Sequence, residues 1–305
     1  MDLSVVVVSY NTRDLTLTAL ASACRSLADS RLAYETLVVD NASPDGSADA
    51  VRQAFPQVTL IANGENRGFA AASNQGIAAS AGRHVVLLNP DTEVLDDALA
   101  QLVHFLDEHP KAGACGPSLV YADGAFQHNA FRFPGLAQTF LDFFPLHWRV
   151  MESRLNGRYP RRLYVRGRPF PIDHPLGACL LVRRAAIDQV GPLDEGYFMY
   201  SEEIDWCRRS KRAGWGVYCV PGARVIHHAG QATRQFRDAM FVALWRSRLR
   251  YFDKYHGPTF RWAVRRVIRL GLWRETRRAR RSGLSDEELS RRLTAYNQVR
   301  TLCDS

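Results

Sequence analysis

Acidic residues follow the predicted strands of this 305-residue chain at separate points of the sequence. Asp40 ends one apolar run, Asp91 follows another within Asn89–Glu93 (NPDTE), and the run Glu202–Asp205 (EEID) opens a later helical segment. Carboxylate oxygens suit a divalent cation, and a carboxylate can also act as a general base. Each residue taken alone also fits a turn or a helix N-terminus. Their joint placement favours a site that holds a cation against a diphosphate.

Glycine-rich phosphate loops are missing from the sequence. No GxGxxG follows the first strand and no GxxxxGK[ST] occurs, which disfavours dinucleotide-binding and P-loop enzymes. A metal ion and side chains must then neutralise any bound phosphates. His227 and His228 end a short strand, where a structural role is the usual one, but neutral imidazole is also a common metal ligand.

Alternating strands and helices occupy the chain up to about Gly116. The predicted strands are apolar and rich in β-branched residues: Leu3–Ser9, Thr36–Asp40, Val58–Ile61 and His84–Leu88. The segments with helical spacing are Leu15–Leu27, Ala48–Phe55, Phe69–Ala81 and Asp96–Glu108. This rhythm predicts an α/β fold with a doubly wound, mostly parallel sheet. Ligands of such sheets bind beyond the carboxyl ends of the strands.

The pattern after Gly116 is less regular. Residues 117–175 have no clear period and are interpreted as connecting structure and flexible loops. Order returns in three short predicted strands and one helix that Gly214 ends: Gly177–Val182, Glu202–Ala213, Val217–Val220 and Arg224–His227.

The C-terminal region is strongly basic. The net charge of the chain is +9, and residues 260–281 contain nine arginines and one acidic residue, Glu275. Two helices are predicted, one with an apolar stripe over Met240–Phe252 and a second, basic and amphipathic, that carries Trp262 and Trp273. A helix of the second type suits the plane of a membrane interface. The alternative is a helix packed on the core with a solvated basic face.

The lack of a secretory signal or membrane-spanning run and the pattern of cysteines favour a cytoplasmic protein. No run approaches about eighteen uninterrupted apolar residues, and the N-terminus lacks the features of a secretory signal. The six cysteines form no CxxC pair, which argues for reduced thiols.

Seven segments in order resemble the family 2 glycosyltransferases of the GT-A type, and among them the bacterial rhamnosyltransferase-like branch. They span most of residues 3–230: Val5–Asn11 (VVVVSYN), Val39–Ser43 (VDNAS), Asn66–Gly76 (NRGFAAASNQG), Leu87–Glu93 (LLNPDTE), Gly177–Arg184 (GACLLVRR), Phe198–Arg209 (FMYSEEIDWCRR) and Ala223–Gly230 (ARVIHHAG). The resemblance implies a GT-A catalytic domain over residues 1–232 and a basic helical extension over 233–305. Residues 1–116 would form the nucleotide-sugar-binding half, and residues 117–232 the acceptor half.

The resemblance also implies roles for individual residues. The donor nucleotide would be held by the strand ends and by the NRGF loop, through Ser9, Asn11, Asp40, Asn66, Arg67, Gly68 and Asn89. Asn89–Asp91 takes the place of the DXD metal motif with Asn in first position, so that Asp91 and the late His227 would bind Mg²⁺ or Mn²⁺.

The general base is implied to lie in the Glu202–Asp205 segment. Glu203 takes the second position of the family's Glu-Asp pair, and Glu202 and Asp205 are supporting or competing carboxylates. The helix N-terminus beneath the pair is expected to keep it ionised at neutral pH.

The implied function is an inverting, metal-dependent transfer of a sugar, with dTDP-rhamnose as the first choice of donor and a UDP-hexose as the alternative. The acceptor would be a lipid-diphosphate-linked saccharide at the inner face of the cytoplasmic membrane, in cell-envelope polysaccharide assembly such as that of O-antigen. Arginines of the tail would contact anionic lipids. The rival interpretations are a nucleic-acid-binding protein, a nucleotidyltransferase and a catalytically silent membrane scaffold.

Overall fold

The structure, a computed structural model, describes residues 1–231 and 236–304. Its centre is a mixed sheet whose strands follow the order β3-β2-β1-β4-β11-β6-β12-β5. Valine-rich β1 is buried along its whole length and pairs in parallel with β2 and β4, as the sequence predicts. The strands of this order are β1 (Leu3–Ser9), β2 (Tyr34–Asp40), β3 (Thr59–Ala62), β4 (His84–Leu88), β5 (Thr92–Val94), β6 (Ala112–Val120), β11 (Cys179–Arg183) and β12 (Gly216–His227).

Helices cover both faces of the sheet. The helices of the first half agree with the predicted ones to within two residues at each end: α1 (Arg13–Leu27), α2 (Ser47–Ala54), α3 (Phe69–Ala79) and α4 (Ala98–Glu108). Alternate residues of β1 point to opposite faces, so Val5 and Val7 join α1 and α4 in one core cluster while Val6 joins α3 in another. This arrangement brings the carboxyl ends of the parallel strands to one edge.

The later strands differ from the sequence-based prediction. β6 was not predicted as a strand, yet it lies inside the sheet between β11 and β12, and the proposed boundary between residues 116 and 117 falls within it. β12 is one strand with a register shift between Val220 and Arg224, where two strands were predicted. β11 runs antiparallel to both of its neighbours, so the sheet is mixed.

Residues 117–175 contain more structure than the predicted loops. They form short strands and helices: β7 (Phe126–Gln127), β8 (Ala130–Phe131), α5 (Leu136–Phe143), α6 (Trp148–Met151), a 3-10 turn (Arg154–Asn156), α7 (Arg161–Val165), β9 (Phe170–Pro171) and β10 (His174–Pro175). Elements of two to eight residues are too short to show a hydrophobic period, and for this reason the sequence did not reveal them.

The C-terminal region has three helices where two were predicted. After α8 (Arg184–Val190) and α9 (Glu202–Arg212) come α10 (Arg237–Tyr255), α11 (Pro258–Ala279) and α12 (Asp286–Leu302). A capping box between Ser285 and Glu288 starts α12. Its S-x-x-E pattern is visible in the sequence and could have predicted this helix. The apolar faces of α10 and α11 pack in one core cluster with Tyr197 and Ile204 of the preceding region.

Two further sequence-based predictions concern this region. The predicted boundary between residues 232 and 233 lies outside the described residues. Among the helices that the structure describes, none is both long and apolar enough to cross a bilayer.

Candidate active site

A cavity of about 430 Å³ opens at the carboxyl edge of the sheet. Its wall combines the ends of β1, β2 and β4, the loop before α3, and the first turns of α9 and α10. This position is where open α/β sheets bind their ligands. The lining residues include Tyr10, Thr12, Asn41, Asn66, Gly68, Asn89, Asp91, Gly177, Phe198, Glu202, Glu203, His227, Phe236 and Met240.

Backbone strain is concentrated around this cavity. Five non-glycine residues of the described chain have a positive φ, and four of them line it or adjoin lining residues: Asn11, Ala42, Tyr200 and Ser201. Such conformations cost on the order of 1–3 kcal/mol each and persist only where the surroundings impose them. Tyr200 and Ser201 are consecutive residues with positive φ, 69° and 68°. Together they turn the chain sharply, so that α9 begins at the cavity wall.

Asp91 and His227 form one pair of ionisable groups in the cavity. His227 Nε2 lies 3.6 Å from Asp91 Oδ1, too far for a hydrogen bond, and that oxygen is buried without a hydrogen-bond partner. His227 Nδ1 lies 3.2 Å from Gln127 Oε1, which can only accept, so the ring donates from Nδ1 and keeps the Nε2 lone pair toward Asp91. Burial lowers the pKa of His227, which favours this neutral form.

This donor set fits a divalent cation. One carboxylate oxygen and one imidazole nitrogen converge without a hydrogen bond between them. Gln127 fixes the tautomer by accepting from the other ring nitrogen, as hydrogen-bond partners of metal-bound histidines do. Among residues 1–231 and 236–304, no group of three or more His, Cys, Asp or Glu side chains is placed to hold a metal. A cation bound here would therefore take its other ligands from a diphosphate and water, as Mg²⁺ commonly does.

Glu202 and Glu203 form the second pair of ionisable groups. They are the first two residues of α9, and each has a buried Oε2 without a hydrogen-bond partner. Glu203 keeps some access to the cavity and packs over Gly177, where an added Cβ would lie 3.5 Å from the Glu203 Cδ. Burial raises the pKa of Glu203 to about 7, and burial together with the charge of Glu203 raises the pKa of Glu202 well above its ordinary value.

The raised pKa values correct the expectation that the helix N-terminus keeps both glutamates ionised. The backbone N–H groups of the first turn do lower the pKa of Glu203, but the loss of hydration is larger. Near neutral pH the pair therefore holds a proton, and Glu203 is the member that gives it up more readily.

Asn41 organises the part of the cavity next to the NRGF loop. Its Nδ2 donates to Asn66 Oδ1 at 2.8 Å, and its Oδ1 accepts from the Arg67 backbone N–H at 3.0 Å. Gly68 is required here because its φ is +83° and an added Cβ would lie 2.5 Å from the Phe198 carbonyl oxygen. The loop is thus held against the segment that leads into α9.

Four of the predicted donor residues lie beside the cavity and not in its wall. Ser9 is fully buried in a hydroxyl cluster with Thr12 and Thr16. Asp40 accepts from the Ser43 backbone N–H at 3.0 Å and keeps a buried Oδ1 without a hydrogen-bond partner. The remaining two are Asn11, whose N–H donates to Ser43 Oγ, and Arg67, whose side chain is exposed.

Asp205 lies away from the cavity, unlike Glu202 and Glu203. It is fully buried, and its carboxylate binds Arg209 Nε at 2.8 Å, Lys254 Nζ at 2.7 Å and Tyr255 Oη at 2.8 Å. It therefore joins α9 to α10. The three carboxylates of one helical turn divide between two surroundings because successive helical residues are about 100° apart. His228 is also engaged elsewhere, 2.7 Å from Glu93.

Other residues of the site were missed from the sequence. Tyr10 stacks on Phe236 with ring centroids 5.6 Å apart, which closes one side of the cavity. Gln127 approaches His227 from a β-hairpin one hundred residues earlier in the chain, and nothing in the sequence signals that pairing. Asn41 lies next to Asp40 in the VDNAS segment, so the motif that indicated Asp40 could also have indicated Asn41.

The family model described as glycosyl transferase family 2 matches residues 4–191, which is more than half of the chain. The chain belongs to this family. A relative of the family from Mycobacterium tuberculosis, N-acetylglucosaminyl-diphospho-decaprenol L-rhamnosyltransferase, is 32% identical over 268 residues, covering 80% of this chain and 84% of the relative. The dTDP-rhamnosyl transferase RfbF of Shigella flexneri is 23% identical over 229 residues, covering 74% and 68%.

Solved structures agree on the fold. The mannosyltransferase PcManGT from Pyrobaculum calidifontis, solved with GDP-Man and Mn²⁺, superposes with a TM-score of 0.59 at 19% identity over 99% of this chain and 84% of that one. This likeness confirms the predicted GT-A type fold. Membership of a glycosyltransferase family favours sugar transfer over the nucleic-acid-binding, nucleotidyltransferase and scaffold interpretations.

Proposed function

We propose that this glycosyltransferase moves an L-rhamnosyl group from dTDP-rhamnose to a lipid-diphosphate-linked saccharide, with inversion at the anomeric carbon. The observation that carries the proposal is the placement of Asp91 with His227 and of Glu202 with Glu203 in the wall of one cavity. The first pair suits a cation and the leaving diphosphate, and the second suits a proton from the acceptor.

Glu203 is the proposed base. It ionises more readily than Glu202, and its side chain reaches the cavity. Its carboxylate takes the proton of the acceptor hydroxyl as that oxygen bonds to the anomeric carbon, and the bond from this carbon to the diphosphate oxygen breaks with its electron pair leaving on dTDP. A Mg²⁺ or Mn²⁺ ion at Asp91 and His227 would supply neutralisation of the charge on that leaving group.

Glu202 plays a supporting part in this scheme. Burial and the charge of Glu203 raise the pKa of Glu202 well above its ordinary value, so Glu202 stays protonated near neutral pH. A neutral neighbour spares Glu203 a second buried negative charge.

The donor assignment rests on the relatives and on the chemistry of the wall. The relatives from M. tuberculosis and S. flexneri are rhamnosyltransferases by name, and the second is named for the dTDP donor. Apolar side chains of Leu176, Phe198, Met199 and Met240 make up much of the wall. A 6-deoxy sugar has a methyl group where a hexose has a hydroxymethyl group, and such a wall would leave the hydroxyl of that group without a hydrogen bond.

The proposed acceptor follows the same relatives. The M. tuberculosis enzyme is named for a diphospho-decaprenol acceptor. An acceptor of this kind is held in a bilayer, so the enzyme would work as a peripheral protein on the cytoplasmic face of the membrane, in the assembly of a cell-envelope polysaccharide.

A donor and acceptor screen tests the proposal. Purified protein would be incubated with dTDP-rhamnose, UDP-glucose, UDP-galactose, UDP-N-acetylglucosamine or GDP-mannose, each with Mn²⁺, Mg²⁺ or EDTA. A prenyl-diphosphate-linked N-acetylglucosamine of short chain length would be the acceptor. We expect metal-dependent release of dTDP and a rhamnosylated product whose anomeric configuration, determined by NMR, is opposite to that of the donor.

Three outcomes separate the possibilities. Rhamnosyl transfer from dTDP-rhamnose that stops in EDTA supports the proposal in full. Transfer from a UDP-hexose alone would replace the donor and keep the mechanism. Absence of donor binding by calorimetry for all five nucleotide sugars, with metal present, would overturn the proposed function.

A further inference from the structure

Exposed hydrophobic side chains are concentrated in two segments of the chain. Of the thirteen large hydrophobic residues that are exposed in residues 1–231 and 236–304, eight lie in segments 136–155 and 262–273. Phe198 is the only one of the other five in the wall of the catalytic cavity. Large contiguous apolar patches on soluble proteins usually mark an interaction site.

The two segments form one surface because α5 lies along α11. An added Cβ on Gly271 would overlap the ring of Phe143, and Arg274 donates to the Phe143 carbonyl oxygen. A groove of about 430 Å³ with an almost entirely apolar wall is lined by residues of segment 136–155 and by Val267 of α11. Its lining includes Leu136, Phe140, Leu146, Val150, Leu155 and Val267.

The outer side of α11 continues this surface. Trp262, Arg266, Leu270, Trp273 and Arg277 follow one another at intervals of four, four, three and four residues, so they form a single row along the helix. All five are exposed. The row lies opposite the buried side of α11 and contains the two tryptophans of the helix that the sequence predicted to suit a membrane interface. We call the groove, this row and the pair Trp148–Arg149, which lies between the groove residues Leu146 and Val150 in the chain, the α5–α11 face.

Each exposed tryptophan of the face carries an arginine. The Arg277 guanidinium lies 4.0 Å from the centroid of the Trp273 ring, and that of Arg266 lies 5.5 Å from the Trp262 ring. Trp148 of α6, which is 63% exposed, has Arg149 at 5.5 Å. The face thus repeats a flat aromatic ring beside a cation.

These cations are not used inside the protein. Across the part of the chain that the structure describes, no carboxylate pairs with Arg149, Arg266 or Arg277, whereas Arg265 pairs with Asp253 and Arg269 with Asp304 on the flank of the helix. The face therefore presents uncompensated positive charge together with apolar surface.

We propose that the α5–α11 face docks the enzyme onto an anionic phospholipid bilayer. Tryptophan rings favour the boundary between headgroups and acyl chains, arginines contact lipid phosphates, and the apolar groove accepts hydrocarbon. A nucleic acid would match the cations but would leave the groove without an apolar partner. The bilayer satisfies both features.

The face is connected to the catalytic cavity through α10. Met240 of this helix lines the cavity, and Trp245, five residues later, stacks on Phe143 of α5 with centroids 4.7 Å apart. Docking would hold the cavity at a fixed position relative to the membrane. That the cavity receives a membrane-held acceptor in this position rests on the proposed function. Docking itself does not depend on it.

Vesicle cosedimentation of the full chain tests the proposal without any nucleotide sugar. The vesicles would contain phosphatidylcholine alone or with one-third phosphatidylglycerol. We expect the protein to bind the anionic vesicles and to dissociate as salt is raised, with little binding to neutral vesicles. The double variant Arg266→Glu with Arg277→Glu should weaken binding by roughly tenfold or more.

A second double variant tests the aromatic part of the face. Trp262→Ala with Trp273→Ala should also weaken binding, and both side chains are exposed, so melting temperature and circular dichroism should stay unchanged. Matched controls lie outside the face: Arg25→Glu with Arg31→Glu for charge, and Tyr34→Ala with Tyr121→Ala for exposed aromatics. Both controls should bind like the unmodified protein.

Three results would overturn the proposal: no binding to anionic vesicles, equal loss in the face variants and the controls, or binding of RNA but not vesicles through the same residues. A functional readout separates it from the proposed activity. The face variants should transfer sugar normally to a water-soluble acceptor and lose transfer to the same acceptor embedded in vesicles. Vesicle binding with no sugar transfer would keep the docking face and reject the proposed function.

Discussion

Asp91 with His227 and Glu202 with Glu203 are two pairs of ionisable groups in the wall of the same cavity, and they respond to burial differently. In the first pair a carboxylate faces an imidazole that stays neutral, and the carboxylate oxygen has no hydrogen-bond partner. In the second pair two carboxylates share a helix start, and burial raises the pKa of both. The first pair suits a cation, and the second retains a proton.

The comparison shows how neighbouring sites of one cavity are given separate chemical roles. A buried carboxylate is stabilised either by a positive charge or by protonation. Asp91 has a nitrogen lone pair beside it, an arrangement that a cation completes. Glu203 has a second carboxylate beside it, which favours uptake of a proton. Substitutions that remove one property at a time test this division.

The largest effect is expected from Glu203→Gln. Losing a general base typically costs about 10²–10⁴ in rate, so kcat should fall by this factor while donor affinity stays the same. Steady-state kinetics and calorimetry with dTDP-rhamnose would measure the two quantities. Glu108→Gln, at an exposed helix end, is the matched control. Near-normal kcat in Glu203→Gln would place the base elsewhere.

Asp91→Asn should instead act on binding. The substitution keeps the size of the side chain and removes the charge that faces the cation, so donor affinity in the presence of Mn²⁺ should fall by roughly 10–100-fold. Affinity measured in EDTA should change little. Asp29→Asn, at an exposed position, is the control. An equal loss with and without metal would contradict a cation role for Asp91.

The pH dependence should distinguish the two glutamates. Glu203 must lose its proton to act, so kcat should rise with pH through about 7, its raised pKa. Glu202→Gln should keep this rise at the same pH, because glutamine resembles the protonated form that Glu202 has there. A rise that moved to lower pH in Glu202→Gln would contradict the assignment, since it would show that Glu202 carries a negative charge that raises the pKa of Glu203.

The same pKa predicts a smaller effect on stability. The folded-state pKa of Glu203 is raised above the unfolded value of about 4.3, so its protonated form stabilises the fold at low pH and this stability is lost as pH rises through about 7. Glu203→Gln removes this loss of stability at high pH, because glutamine does not ionise. Its melting temperature at pH 8 should exceed that of the unmodified protein by on the order of 5 °C, with no such gain at pH 4. Equal melting temperatures at pH 8 would argue against a buried, protonated Glu203.

Asp205→Asn should have the smallest effect on catalysis. This carboxylate of the same helical turn holds Arg209 and Lys254 and does not line the cavity. Its loss should cost about 1–3 kcal/mol of unfolding free energy and leave kcat nearly unchanged. Chemical denaturation and kinetics on one sample would test this. A loss of kcat as large as that of Glu203→Gln, without a loss of stability, would assign Asp205 to the chemistry.

Local patterns in the sequence were enough for the first half of the fold. The four predicted strands before Gly116 and the helices between them are present, because long buried runs and regular helical spacing are local properties. β6 was missed because Ala112–Val120 contains two glycines and a proline, and its place inside the sheet depends on partners that lie before and after it in the chain. The short elements of residues 117–175 are likewise held by tertiary contacts.

The sequence by itself determined the family, the first four strands of the sheet and the segments that carry the site, since each is encoded in short local patterns. Tertiary structure decided which members of those segments enter the cavity. Glu203 and Asp205 are two residues apart, yet the turn at Tyr200 and Ser201 and the packing of α10 send one to the cavity and the other into an ion-pair network. Burial also decided the protonation of the glutamates, because hydration is lost only when distant parts of the chain close around them.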